Sequence, residues 1–166
     1  MKLVMIRHGP AGDRAEWEAE GRDDRLRPLT SDGKKEVRQV AKGLTTLLSR
    51  IDLLASSPLV RAVQTAEIVA SRYECDTVTV EALAPGHDPD QVVKWLRSQR
   101  GDIVAIVGHE PDLSTLGSYL LAGERSSFLT LKKSGACLLE LNEPTGPGNA
   151  TLEWLLIPRV LKQLAG

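Results

Sequence analysis

Short aliphatic or β-branched runs alternate along this chain with stretches of helical period, the pattern of βα units built on a largely parallel sheet. The runs are Lys2 to Ile6, Ile51 to Ala55, Thr77 to Val80 and Ile103 to Val107. Helical patterns lie between and after them, over about 31–49, 58–72, 89–99 and 111–121. Pro58, Pro89 and Pro111 fall where a first helical residue is expected, and proline is well tolerated there. Of the residues preceding them, Ser57 and Asp88 are good N-cap types and Glu110 is a poor one. After residue 135 the pattern changes to "ACLLELNEPTGPGNATLEWLLI", two apolar or alternating runs about a Pro/Gly/Asn loop, which predicts an antiparallel hairpin at the sheet edge. The expected fold is α/β, a three-layer α/β/α sandwich with a largely parallel central sheet and an antiparallel edge hairpin, in one domain over 1–166. The charged stretch "AGDRAEWEAEGRDDRLRPL", residues 11–29, reads as a solvated surface loop with a short helical piece and no chemistry. In "RPLT", Thr30 or Ser31 is expected to cap the next helix and Arg27 to brace the loop.

Composition narrows the function. The 166 residues are 42% hydrophobic and 26% charged, ordinary for a globular domain, and 21 basic against 22 acidic residues give a net charge of -1. That balance lacks the broad basic footprint of a nucleic-acid or membrane-surface protein, so neither partner is expected and any anion must be held by a local site. Cys75 and Cys137 are far apart and lack metal spacing, which fits a reducing compartment. Residues 3–6 are too short for a signal-peptide core, and no stretch approaches the ~20 apolar residues of a membrane span. The expected location is the cytoplasm. Nothing in the pattern speaks to oligomeric state, and a monomer is the default.

Four residues stand out once the elements are placed. In open sheets of this kind ligands bind beyond the carboxyl ends of the strands. Arg7-His8-Gly9 sits where the first strand stops, and Gly9 is expected to turn the chain through angles closed to other residues, so that Arg7 and His8 can converge. "IVAIV" likewise ends in Gly108-His109. Arg61, in "SSPLVRAVQTA", falls in the opening turn of a helix, where a cation is disfavoured by the positive end of the helix dipole unless an anion is bound nearby. Each has an ordinary structural reading, a hydrogen-bonded histidine or a surface ion pair, but all four map to one sheet edge. Two guanidinium forks suit a phosphoryl group. A neutral imidazole can attack phosphorus and form a phosphohistidine that water hydrolyses, and nearby arginines are expected to lower its pKa. Such chemistry calls for no metal and no cofactor. A metal site on His8, His87 and His109 is disfavoured because the arginines would repel a cation.

"RHG" after the first strand, the arginine of "SSPLVRAVQTA" and "GH" after a later strand resemble the histidine phosphatase superfamily, which includes the cofactor-dependent phosphoglycerate mutases. The small size, "RPLT" and "GHEPDL" are most similar to the bacterial phosphohistidine phosphatases of the SixA type. The resemblance implies a phosphoglycerate mutase-like fold, His8 as the phosphorylated nucleophile, and Arg7, Arg61 and His109, with Gly9, as the phosphate pocket. Larger relatives carry a glutamate acid in a lid after the third strand. Here that region reads "VEALAPGHDPD", with hardly room for a lid, and offers only Glu81, which also reads as a strand-end surface residue, or the loop histidine His87; Asp88 is better placed as a helix cap. An alkoxide leaving group needs such an acid, whereas phosphoimidazole can depart as a neutral ring, so a phosphohistidine on another protein suits the site. The alternatives are a general small-molecule phosphomonoesterase acting on phosphate esters and a catalytically inactive phosphoprotein-binding module. There is no P-loop, "GPGNAT" lies in the expected hairpin turn, and neither cysteine heads a thiolate-phosphatase loop.

Overall fold

A computed structural model describes residues 1–166. Six strands form one sheet: β1 (Lys2–Arg7), β2 (Leu53–Ser56), β3 (Thr77–Thr79), β4 (Ile103–Gly108), β5 (Ala136–Leu141) and β6 (Ala150–Leu156), in the order β3-β2-β4-β1-β5-β6. The first four in that order pair parallel, while β5 is antiparallel to β1 and β6 to β5. The edge hairpin is therefore as expected, and β1 and β4 lie side by side at the centre of the sheet. Consecutive residues of β1 face opposite layers, Val4 and Ile6 joining one apolar cluster and Leu3 and Met5 the other. Both faces are covered, which is why these strands read as continuous apolar runs.

Helices α2 (Ser31–Leu47), α3 (Val60–Tyr73) and α6 (Pro158–Leu164) cover the Val4/Ile6 face; α4 (Pro89–Arg97) and α5 (Asp112–Ala122) cover the other. The short α1 (Arg14–Ala19) and a single 3-10 turn at Asp24–Leu26 lie in the charged loop. Thr30 caps α2, its hydroxyl accepting from the Gly33 N–H, and Asp88 caps α4 with Pro89 in its first turn. Two helix starts differ from expectation. Helix α3 begins two residues later than Pro58, capped by Leu59 with no side-chain hydrogen bond, so Ser57 is released for another task. Helix α5 begins at Asp112, and Glu110, a poor N-cap by type, still serves its start by accepting from the Ser114 N–H. Helix α6 was not legible as a pattern because seven residues give too little period to detect. It docks Leu161, fully buried, beside Gly43 of α2, where a Cβ would lie 1.8 Å from the Leu161 carbonyl oxygen. No helix is long and apolar enough to cross a membrane.

Candidate active site

Beyond the carboxyl ends of β1 and β4 lies an open cleft of about 660 Å³. Arg7, His8, Arg61 and His109 all line it, together with Asp13, Arg14, Asp24, Arg27, Glu110 and Lys133. The sheet positions the two histidines directly. The His8 N–H donates to the Gly108 carbonyl at 3.1 Å, so the end of β1 is pinned to the end of β4. The rings lie 5.1 Å apart between centroids, tilted by 53°.

His8 is held in one tautomer. Its Nδ1 lies 2.7 Å from the Gly9 carbonyl oxygen, and because a carbonyl only accepts, Nδ1 carries the proton and Nε2 keeps its lone pair. Gly9 is fixed in turn by its N–H, which donates to Thr65 Oγ1 at 3.1 Å, while the Thr65 hydroxyl donates to the Arg61 carbonyl at 2.7 Å. That chain ties "RHG" to α3. The expectation for Gly9 needs correcting on two points. Its φ is not positive, and what demands glycine is space, since a Cβ would meet Val37 Cγ2 at 2.4 Å. Nor does Gly9 line the cleft: its amide and carbonyl both hold neighbours, so it positions His8 rather than meeting a ligand.

The arginines are held from the loop side. Arg61 donates from Nη1 to the Asp24 carbonyl at 2.9 Å and from Nη2 to Asp24 Oδ2 at 3.1 Å. The other carboxylate oxygen of Asp24 accepts from Arg27 Nε at 2.8 Å, and Arg27 Nη1 reaches the Gly12 carbonyl at 2.6 Å. Arg27 thus braces the loop as expected. The loop as a whole, however, is no bystander: the stretch read as solvated surface supplies one wall of the cleft and the carboxylate that orients Arg61. Arg7 donates from Nη1 to the Leu131 carbonyl at 2.9 Å. Helix α3 presents a bare N-terminus here, with Arg61 in its first turn and no acidic residue to offset it.

Five buried side-chain polar atoms in the molecule lack a hydrogen-bond partner, and three of them are Arg7 Nε, Arg61 Nε and His109 Nδ1. Buried polar groups are rarely left so, and three on one cleft mark a place for an acceptor-rich ligand. His109 Nε2 lies 2.8 Å from Ser57 Oγ. If the Ser57 hydroxyl donates to Nε2, Nδ1 carries the proton and becomes a third donor. Both imidazoles stay uncharged at neutral pH. Burial lowers the His8 pKa to about 4, helped by the Arg61, Arg7 and Lys133 charges and opposed by the Gly9 hydrogen bond. Burial also takes His109 to about 3, with His8, Arg61 and Arg7 adding and Asp24 opposing. The direction matches the expectation, but the larger cause is desolvation and not the arginines.

The sequence profile of the histidine phosphatase superfamily (branch 1) matches residues 3–85, half of the chain. This chain belongs to the histidine phosphatase superfamily. An uncharacterized protein of Picosynechococcus is 35% identical over 139 residues, covering 81% of this chain and 82% of that protein. The phosphohistidine phosphatase SixA of Escherichia coli K12 is 28% identical over 98% of this chain and 97% of its own length. A solved structure of the protein histidine phosphatase SixA complexed with tungstate superimposes with a TM-score of 0.83, at 28% identity over 97% of this chain and 99% of that one. The phosphoglycerate mutase-like α/β fold expected from the sequence is thereby shown.

In this superfamily member the two candidate acids fall outside the cleft. Glu81 is exposed on a 3-10 turn after β3, 3.7 Å from Arg25, and His87 pairs with Gln91 at 2.8 Å. His87 borders a separate small apolar pocket behind His109 and does not join His8 and His109 as a third ligand. Asp24, Arg14 and Lys133 are among the lining residues that sequence reasoning missed. The spacing of Asp24 and Arg27, the arginine of "RPLT", points to a local ion pair, but nothing local points that carboxylate at Arg61.

Proposed function

We propose that this protein is a metal-independent phosphohydrolase that removes phosphate from phosphohistidine on another protein, through a phosphorylated His8. The observation that carries the reading is the set of three partnerless buried nitrogens, Arg7 Nε, Arg61 Nε and His109 Nδ1, around an uncharged histidine whose Nε2 lone pair is free. A phosphoryl group would bring the acceptors these nitrogens lack. His8 Nε2 forms a bond to phosphorus as the bond from phosphorus to the substrate imidazole breaks. The substrate ring, protonated on its other nitrogen, leaves as neutral imidazole. Phosphorylated His8 gains positive character, which the Nδ1–H hydrogen bond to Gly9 stabilises without moving the proton. Water then attacks phosphorus, the bond to Nε2 breaks, and both water protons end on the released phosphate. Arg7, Arg61 and His109 offset charge on the equatorial oxygens throughout.

The choice of leaving group has its own support. Each carboxylate lining the cleft already holds an internal partner: Asp13 caps α1, Asp24 holds Arg27 and Arg61, and Glu110 accepts from Ser114. None is free to protonate an alkoxide, a lack that phosphoimidazole tolerates. The similarity to the Escherichia coli phosphohistidine phosphatase points the same way. The test is phosphate release from a phosphorylated phosphotransfer domain in excess chelator, for wild type and His8→Ala, beside a sugar phosphate. Turnover of the phosphoprotein by wild type alone, faster than of the sugar phosphate, is expected. Preference for the sugar phosphate would replace this reading with a phosphomonoesterase, and binding without turnover would leave a recognition module.

A further inference from the structure

We propose that Lys133 is a specificity-determining residue, an exposed and unpaired cation of the cleft that reads a carboxylate flanking the phosphohistidine. The inference rests on the function proposed above and names the partner chemistry that this site would select.

Lys133 differs from every other cation on the cleft. Arg7 donates to a backbone carbonyl, Arg61 and Arg27 are held by Asp24, and Arg14 pairs with Glu18 at 2.8 Å. Lys133 is exposed, lines the cleft, and has neither a hydrogen bond nor a carboxylate within ion-pair distance. An unpaired cation beside four others raises the local repulsion, and an incoming anion relieves it.

Its backbone, by contrast, is tightly placed. Residues 131–135 fold around the nucleophile's own strand. The Leu131 carbonyl accepts from Arg7 Nη1, the Gly135 carbonyl accepts from the Arg7 N–H at 3.0 Å, and the Ser134 N–H donates to the carbonyls of Arg7 and His8 at 3.1 and 3.2 Å. Ser134 is one of only two non-glycine residues at positive φ, at 59°, so this turn takes an unfavoured conformation to make those contacts. The backbone of Lys133 is thereby anchored beside His8, so a contact made by its ammonium has only the side-chain rotamers left to order.

Depth decides what it would contact. The side chains of His8, Arg61 and His109 are buried, and a phosphoryl group seated on them lies at the floor. Lys133 is exposed on the same lining, outside that buried set, where residues flanking a phosphorylated side chain would pass. The other exposed charges lining the cleft do not compete: Arg14 is paired, and Asp13 is a helix cap. A neighbouring Glu or Asp on the partner fits this single free cation, whereas a basic neighbour would meet five positive side chains.

The experiment compares two histidine-phosphorylated peptides, one with glutamates flanking the phosphohistidine and one with glutamines, and free phosphohistidine as the small substrate. For wild type, kcat/KM favours the acidic peptide by about fivefold, as expected for one exposed ionic contact, and the preference shrinks with salt. Lys133→Gln abolishes the preference and Lys133→Glu inverts it, while their losses on free phosphohistidine are smaller than on the acidic peptide. Lys132→Gln, an exposed neighbour that does not line the cleft, keeps the wild-type preference. Equal losses on all three substrates would make Lys133 part of the phosphoryl pocket and overturn the proposal, as would a preference indifferent to residue 133. Wild type that hydrolyses sugar phosphates and neither peptide would instead remove the underlying functional reading.

Discussion

His8 and His109 are held at the ends of β1 and β4 by neutral hydrogen bonds to a carbonyl and a hydroxyl, whereas Arg61 and Arg27 are held by one carboxylate, Asp24, delivered by the charged loop. The two histidines at the strand ends are uncharged, buried and fixed by the parallel ladder. The loop half is charged and depends on an ion-pair bridge. In the mechanism proposed above the attacking nitrogen must be neutral and the anion-binding groups charged yet oriented; each half fits its own requirement by the opposite means. Removing one member of each half therefore produces different failures.

The largest effect is expected in the strand-end half. His8→Ala should lower phosphate release by on the order of 10⁴-fold or more, as loss of a nucleophile does, and abolish any acid-labile phosphoenzyme trapped by rapid quench. Stability at pH 7 should change far less than activity. A variant keeping more than about a hundredth of the wild-type rate would show that another group takes the phosphoryl, and the division between the halves would lose its meaning.

In the loop half the expected loss is of stability. Asp24→Asn strands two guanidinium groups whose side chains are only 6% and 9% exposed. Removing one partner of such a pair costs about 3 kcal/mol, to be read from urea denaturation at pH 7. Burial alone would raise the Asp24 carboxyl, but the Arg27 hydrogen bond and the Arg61, Arg27 and Arg14 charges outweigh it and hold the pKa below 3.8. The contribution of a depressed carboxylate is complete above its unfolded pKa and disappears as pH falls through the folded one. Wild type and variant should therefore converge as pH falls through the lowered pKa of Asp24, and a gap that persisted in stronger acid would mean that the charge of Asp24 is not what matters.

The histidines act in the same direction but in a different window, since a lowered pKa again costs stability as pH falls. His8 stays neutral in the folded protein down to about pH 4 against 6.5 in the unfolded chain, so the unfolded state binds the extra proton as pH drops between those values. Between pH 8 and pH 5 this single group should reduce wild-type stability by about 2 kcal/mol. His8→Asn should escape that share of the loss. Parallel pH profiles for the two proteins would show that His8 is already charged or solvated, and with that the contrast between a neutral half and a charged half would fail.

The same division explains what was legible in the chain. Strand-end residues are readable because apolar runs announce the strands, and whatever follows a strand in an open sheet lies at the ligand edge; Arg7, His8 and His109 were found in this way, and Arg61 by its unfavourable place on a helix dipole. Asp24 has no such marker. It sits among "GRDDRLR", where composition describes a solvated face, and only the tertiary closure of the loop over α3 brings its carboxylate to Arg61. Gly9 was found for the wrong reason, since contact with Val37 depends on how α2 docks and no local pattern carries it. Lys133 lies beyond the last strand-helix signal, in a turn whose placement depends on backbone bonds to residues more than a hundred positions earlier.

The smallest effect belongs to a residue outside both halves. Glu81 stands on the 3-10 turn after β3, its side chain 63% exposed and 3.7 Å from Arg25, and it does not line the cleft. An exposed pair of that length contributes little, so Glu81→Gln should leave stability within about 0.5 kcal/mol of wild type. Its effect on turnover should be less than about twofold for phosphohistidine and for an alkyl phosphate alike. The alkyl phosphate is the informative arm. A general acid matters most where the leaving oxygen is most basic, so a loss confined to that substrate would mean that the turn swings inward when a ligand binds and delivers a proton. The cleft would then have a third functional wall, and the leaving-group argument for phosphohistidine would lose its footing. Equal rates on both substrates, in wild type and variant, would instead place the source of that proton in solvent.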